Sequence, residues 1–313
     1  MACWWLLVSH KIWINKIKGF FGLIRPFTLL APFIVSLNII IASYFYTSSS
    51  VSFNAEFILT IFSASFCFAF LNGASNALNQ ATDRKADSIS KSYRPIPQGI
   101  ITVKEAYVVS FIMYSIAFIC GIMIHLTFLL FIIIITLFTL SYSLSPRMKD
   151  ILWFNQLWIA IPRGFLGILA SWSVYGAIYD PLPLIIAIIA GLFLFGGSIT
   201  KDIADKQADI EVGTKTLVNI YGEQKAAFIV LPFLFFPFLL IPISINLGFI
   251  PIYFWLLTFL SIPGFYIFKV MVKDTIGHSI FENTTAWTCM YVTYLVFAIS
   301  FSIITIMGTV LII

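Results

Sequence analysis

The stretch FILTIFSASFCFAFLNGASNALNQATDRKAD, residues 57–87, is apolar for most of its length and ends in amides and acids. About 20 apolar residues in a helix rising 1.5 Å per residue cover a hydrocarbon core of roughly 30 Å. Helix is the expected state, because every backbone polar group in lipid needs an internal partner. At the end of the run, Asn79, Asp83 and Asp87 fall at i, i+4 and i+8 and so share one helical face. The pattern recurs in LIIAIIAGLFLFGGSITKDIADKQAD, residues 184–209, where Asp202, Asp205 and Asp209 form a second stripe.

Other runs of spanning length complete the set. They lie near 27–46, 57–78, 104–122, 126–145, 154–176, 182–201, 226–245, 251–270 and 286–308. The chain of 313 residues is 60% hydrophobic and 10% charged, with a mean hydropathy of +1.01. A soluble protein of that length needs far more polar surface. The expected fold is an all-α integral membrane protein of about nine spans, the least secure boundary lying at Met123–Leu126.

All lysines and arginines except Arg163 fall on one set of loops or the adjoining helix ends: the N-terminal segment and the loops near 79–103, 146–153, 202–225 and 271–285. The opposite loops, such as TSSSVSFNAE and YDPLP, carry none. The positive-inside rule therefore puts the N-terminus and both acidic stripes in the cytoplasm and the C-terminus outside. Residues 1–25 read as an interfacial segment, in which Lys11, Lys16, Lys18 and Arg25 alternate with Ile12, Trp13, Ile17, Phe20 and Phe21. Residues 26–313 read as one transmembrane domain. MACWWLLV lacks a leading basic region and argues against a cleaved signal.

Cys3, Cys67, Cys120 and Cys289 stand alone in apolar stretches, and His10, His125 and His278 are scattered, so neither a disulfide framework nor a zinc site is expected. A net charge of +5 fits anionic headgroups rather than nucleic acid. Gly73, Gly164, Gly167, Gly196 and Gly197 suit close helix packing.

Carboxylates gathered at the edge of hydrocarbon repel one another and lose hydration, so the two stripes need a compensating cation. Hard oxygen donors suit Mg²⁺, which binds phosphate oxygens at the same time. Two acid-bearing helix mouths could thus grip a diphosphate and make it a better leaving group. Lys91, Arg94, Lys201 and Lys215 lie close enough in sequence to hold further phosphate oxygens. Solvated acidic loops are the bland alternative. SYRPIPQG, residues 92–99, reads either as a stiff lid or as a rigid loop. Arg163, about ten residues into the fifth run, reads as pairing with an acid, contacting an anionic substrate, or snorkelling.

These motifs resemble those of the UbiA superfamily of intramembrane prenyltransferases, NDxxDxxxD and DxxDxxxD. NQATDRKAD matches the first at Asn79, Asp83 and Asp87, with Gln80 in place of an aspartate; DIADKQAD supplies Asp202, Asp205 and Asp209. GTKTL and the RP of LIRPFT are similar to the family's too. The resemblance implies a helical cavity with a lateral opening and a cytoplasmic cap, where Mg²⁺ joins both motifs to a prenyl diphosphate. Asn79, Asp83, Asp87, Asp202, Asp205 and Asp209 then hold metal, and Lys91, Arg94 and Lys201 hold phosphate. Gln80 removes one possible acidic contact, which leaves metal number and geometry open; relatives with NQ at this place imply no loss of activity. Tyr142 and Trp172 are candidate cavity aromatics facing the allylic cation.

SYRPIPQG and RMKD look most like the branch holding archaeal digeranylgeranylglyceryl phosphate synthases and chlorophyll synthases. The expected reaction is transfer from geranylgeranyl diphosphate to the hydroxyl of geranylgeranylglyceryl phosphate in the cell membrane, with no obligate protein partner. An aromatic or chlorin acceptor is the alternative within enzymes. A transporter of phosphorylated lipid or ions is the alternative outside them, and it leaves the second stripe without a purpose.

Overall fold

The computed structural model describes residues 2–48, 54–273 and 284–310, with side chains from Trp13 to Thr309. Readings of the side chains of Cys3, His10, Lys11 and Ile12, and of the loop holding His278, fall outside those limits. Among the described residues every regular element is helical. The order is α1 (Ala2–Ile24), α2 (Pro26–Thr47), α3 (Ala55–Thr82), α4 (Arg84–Ser90), α5 (Val103–Ile124) and α6 (Leu126–Ser143). It continues with α7 (Phe154–Ala160), α8 (Leu166–Trp172), α9 (Pro181–Gly197), α10 (Thr200–Val212) and α11 (Leu217–Tyr221). The last four are α12 (Glu223–Phe235), α13 (Leu240–Asn246), α14 (Ser261–Lys273) and α15 (Thr285–Val310).

Among the described residues, seven helical stretches are long and apolar enough to cross a membrane, or eight if the bent pair α9–α10 counts as one span. The chain is therefore a multi-pass membrane protein. The expected fifth run is helical from Phe154 to Trp172 but in three pieces, with a π turn at Ile161–Phe165 between α7 and α8. Pro162 lies in that turn; it has no N–H to give the preceding turn. Prolines also break the later spans. A 3₁₀ stretch at Phe236–Leu239 containing Pro237 separates α12 from α13, and another follows Pro251 at Ile252–Leu260 before α14.

Side chains set the helix starts. Asn54 Oδ1 accepts from the Phe57 N–H at 2.8 Å to begin α3. Thr102 and Glu105 form a reciprocal capping box on α5. His125 ends α5 and caps α6, its Nδ1 accepting from the Phe128 N–H at 3.1 Å, so the doubtful boundary at 123–126 falls at this residue.

α3 is the central post, packed against α1, α2, α5 and α6. Its Asn72, Asn76 and Gln80, spaced by four, all donate toward the α1–α2 junction. Pro32 in α2 leaves the Thr28 carbonyl without its helical donor, and Asn72 Nδ2 supplies one at 3.0 Å. Asn76 reaches the Ile24 carbonyl at 2.9 Å, and Gln80 Nε2 reaches those of Leu23 at 2.8 Å and Gly22 at 3.2 Å. Carbonyls freed where α1 ends and α2 bends thus find side-chain donors on α3.

Two bends then aim the acidic stripes at one place. α3 stops at Thr82 and α4 restarts beyond Asp83, whose backbone (φ −97°, ψ 13°) is not helical. α10 turns 42° away from α9, out of the apolar layer. α4 and α10 pack side by side.

Candidate active site

A cavity of about 300 Å³ opens between these bends and narrows into the helix bundle. Asn79, Asp83, Asp87, Asp202, Asp205 and Asp209 all line it, with Lys91, Arg94, Lys201, Tyr142 and Arg163. Its deeper wall is apolar, including Val35, Phe68, Leu71, Ile135 and Leu194.

The acids are held by cations of the chain itself. Lys149 donates to Asp83 and, at 3.0 Å, to Asn79 Oδ1, so its ammonium sits between two residues of the first stripe. Arg147 Nη2 also reaches Asp83, at 3.1 Å. Arg94 Nη1 meets both oxygens of buried Asp87, at 2.9 and 2.8 Å. Lys91, just past α4, pairs with Asp205 of α10 and so joins the first stripe to the second. Asp202 is buried and accepts from Asn155 Nδ2 at 3.0 Å and Gln156 Nε2 at 3.4 Å, while Lys201 lies 3.8 Å away. Tyr142 stands between the stripes: its hydroxyl donates to Asn155 Oδ1 at 3.0 Å and accepts from Lys201, and the Lys149 ammonium lies 5.8 Å from its ring centre.

The loop after the second stripe docks onto the same cluster. Gly213 closes α10 at φ +81°, a left-handed conformation that favours glycine. Thr214 Oγ1 then donates to Asp150 Oδ1 at 3.0 Å, and the Lys215 N–H donates to the Asp150 carbonyl at 3.2 Å. Asp150 in turn accepts from Arg147 Nε at 2.7 Å. GTKTL is thereby tied through RMKD to Asp83.

The titration behaviour follows the burial. Burial pushes Asp209 up to about 7, and the charges of Asp202 and Asp205 push the same way. Burial likewise raises Asp202 to about 6, with Lys201 opposing. Burial also raises Asp87, outweighing Arg94 beside it. For Asp205 the opposite holds: burial is overcome by Lys91 and the carboxyl stays below its ordinary value. Burial lowers Lys149 despite its contact with Asp83. Burial, more than crowding of like charges, thus sets the second stripe, and its lysines oppose that effect.

Three expectations need correction. Trp172 does not face the cavity; it is fully buried, packed against Tyr46 and Phe301, where α8 needs bulk to fill the core. The Lys215 side chain is exposed and outside the lining, because the Asp150 contact fixes its backbone and turns the side chain outward. Gln80 leaves the acid constellation unaltered: it is buried against α1, not in the cavity. Sequence reasoning passed over Arg147, Lys149, Asn155 and Gln156. RMKD was visible as a motif, but nothing in it says that its lysine folds back between Asn79 and Asp83.

The sequence pattern of the UbiA prenyltransferase family matches residues 30–280. The chain belongs to this family. It is a membrane prenyltransferase, and the paired stripes are the two acidic motifs on which the resemblance rested. A digeranylgeranylglyceryl phosphate synthase from Methanosphaera stadtmanae is 29% identical over 207 residues, covering 65% of this chain and 69% of that protein. Another, from Pyrococcus furiosus, is 27% identical over 244 residues, covering 76% and 82%. The solved structure of a UbiA homologue from Archaeoglobus fulgidus bound to GPP and Mg²⁺ shares the fold, with a TM-score of 0.71 at 19% identity over 92% of this chain and 99% of that one.

Proposed function

We propose that this UbiA-family chain is a Mg²⁺-dependent enzyme that transfers a geranylgeranyl or similar group to the hydroxyl of geranylgeranylglyceryl phosphate. The observation that carries the reading is the convergence of both aspartate stripes on one cavity, joined by the Lys91–Asp205 pair. The relatives named for that synthase point to the acceptor. In the proposed topology nine spans cross the cell membrane, with the N-terminus and cavity mouth in the cytoplasm and residues 1–25 at the interface.

The residues present fit the metal. Asn79 and the five aspartates are hard oxygen donors, and all six line the one cavity. Among the described residues no three acids, histidines or cysteines gather closely enough to cage an ion. Such a spread suits Mg²⁺ shared with phosphate oxygens rather than an all-protein cage. Bound there, the ion would neutralise charge on the departing diphosphate. The chain's own groups do the rest. Lys91, Arg94, Lys149 and Lys201 are within the same cavity to hold phosphate oxygens, and the apolar wall receives the prenyl tail and excludes water that would compete for the allylic carbon. Tyr142 lines the same cavity, its ring centre 5.2 Å from the Lys201 ammonium, and is the aromatic proposed to face positive charge on that carbon. The C–O bond to diphosphate breaks with its electrons leaving on oxygen; the acceptor oxygen bonds the carbon and gives up its proton, which the released diphosphate takes.

The test is an acceptor screen in detergent with geranylgeranyl diphosphate and Mg²⁺. Product and diphosphate should appear with geranylgeranylglyceryl phosphate and vanish on chelation. Product with an aromatic acid alone would reject the acceptor, and flux of phosphorylated lipid without diphosphate release would reject the enzyme in favour of a transporter.

A further inference from the structure

Arg163 is a guanidinium in the interior of a membrane protein that the prenyl diphosphate does not account for. It sits on the π turn between α7 and α8. That turn is pressed onto α9: a Cβ at Gly164 would lie 2.7 Å from Gly191 Cα, so only glycine permits the approach. The Tyr294 hydroxyl holds the Arg163 carbonyl at 3.0 Å from α15. Backbone fixed on two sides, the side chain opens into the cavity.

Lys91, Arg94, Arg147, Lys149 and Lys201 each have a carboxylate within 4 Å, whereas Arg163 has none among the described residues. Tyr142, Tyr294 and Tyr291 line the same cavity, and with Tyr114 theirs are the phenols that bear on its charge. Their hydroxyls are already bonded, to Asn155, the Arg163 carbonyl, the α2 backbone and Thr139. Neutral phenols cannot cancel a charge that arginine never gives up. Open to the cavity and without a carboxylate beside it among the described residues, the guanidinium is a cation whose counter-charge an entering ligand can supply.

Position shows which ligand. Asn155 and Gln156 mark the level of Asp202, and Arg163 lies seven to eight residues further along the same helical run, about 11 Å deeper. With the diphosphate held at the aspartates, that depth is alongside the isoprenoid, which carries no charge. We infer that Arg163 binds the acid group of the acceptor, a phosphate monoester within a few bonds of the attacking hydroxyl. This rests on reading the cavity as the site of prenyl transfer. A planar fork meeting two phosphate oxygens would set acceptor orientation and exclude neutral alcohols.

Wild type, R163Q and R163K are compared with geranylgeranylglyceryl phosphate and its dephosphorylated alcohol. Wild type should prefer the phosphate at least about 100-fold in kcat/KM, since its site is left with an unpaired charge by the alcohol. R163Q should bring that preference below about tenfold through a higher acceptor KM, leaving the prenyl diphosphate KM within about twofold; R163K should fall between. Equal use of both acceptors by wild type, or an R163Q effect on the diphosphate KM alone, overturns the inference. If R163Q does not fold, an R163K acceptor KM equal to wild type does so. Should wild type use 4-hydroxybenzoate instead, the acceptor reading falls separately, and phenol serving equally well sinks the arginine's role. Should no acceptor react, thermal shift decides: dodecyl phosphate should stabilise wild type more than dodecanol does, and R163Q should lose the difference.

Discussion

At position 80 an amide and a carboxylate are not equivalent, because the side chain faces the end of α1 and must donate. Gln80 Nε2 serves the carbonyls of Gly22 and Leu23, which have no helical donor beyond Ile24. Q80L leaves these carbonyls unsatisfied, at a cost of about 2 kcal/mol. The melting temperature in detergent should therefore fall while the Mg²⁺ dependence of turnover stays within about twofold; a large change in metal dependence would put Gln80 back in the site. The proposed ligands behave in the reverse way. D83N and D202N remove charge where the cavity gathers it, and each should lower turnover well over tenfold with little loss of folded protein on gel filtration. Near-normal turnover in both would end their assignment. The stripes could be read from sequence because helical spacing alone puts Asn79, Asp83 and Asp87 together. Trp172 and Lys215 could not, since a tryptophan facing the core and one facing a cavity obey the same periodicity, and a single backbone contact to Asp150 decides where Lys215 points.

Among the elements, α5 shows how one side chain can serve two. Glu105 closes the capping box with Thr102 and also pairs with Lys16 of α1. E105Q keeps a capping partner and loses the ion pair, worth at most about 1 kcal/mol for so exposed a contact. E105A loses the cap too, which adds about 1 kcal/mol. Melting at pH 7 should rank wild type, E105Q, E105A; an E105Q as damaged as E105A would mean the ion pair outweighs the cap. The apolar runs that located these helices say only that a segment is buried in lipid. They do not reveal that the run from Phe154 breaks into a π turn or that the one from Ile252 starts as 3₁₀, because proline and packing against α9, not hydropathy, set those breaks.

For the molecule as a whole, α4 and α10 pack together although the acidic mouths they carry repel each other. Lysines supply the counter-charge: Lys91 spans the mouths to Asp205, and Lys149 reaches from the RMKD segment to Asn79 and Asp83. The bundle is thereby held in the shape that the proposed metal would need, and any ion entering between Asn79 and Asp83 must displace an ammonium. That makes Lys149 a competitor for the cation as well as a support for the fold. K149M removes the competitor. Arg147 still meets Asp83 at 3.1 Å, so the loss of stability should stay near 1–3 kcal/mol rather than the larger penalty of a wholly abandoned buried charge. Mn²⁺ measured without diphosphate, by calorimetry or spin resonance, should bind K149M several-fold more tightly than wild type, and the melting temperature should rise further on adding it. Binding that is weaker in K149M would show that the lysine helps to build the ion's site instead of standing in it.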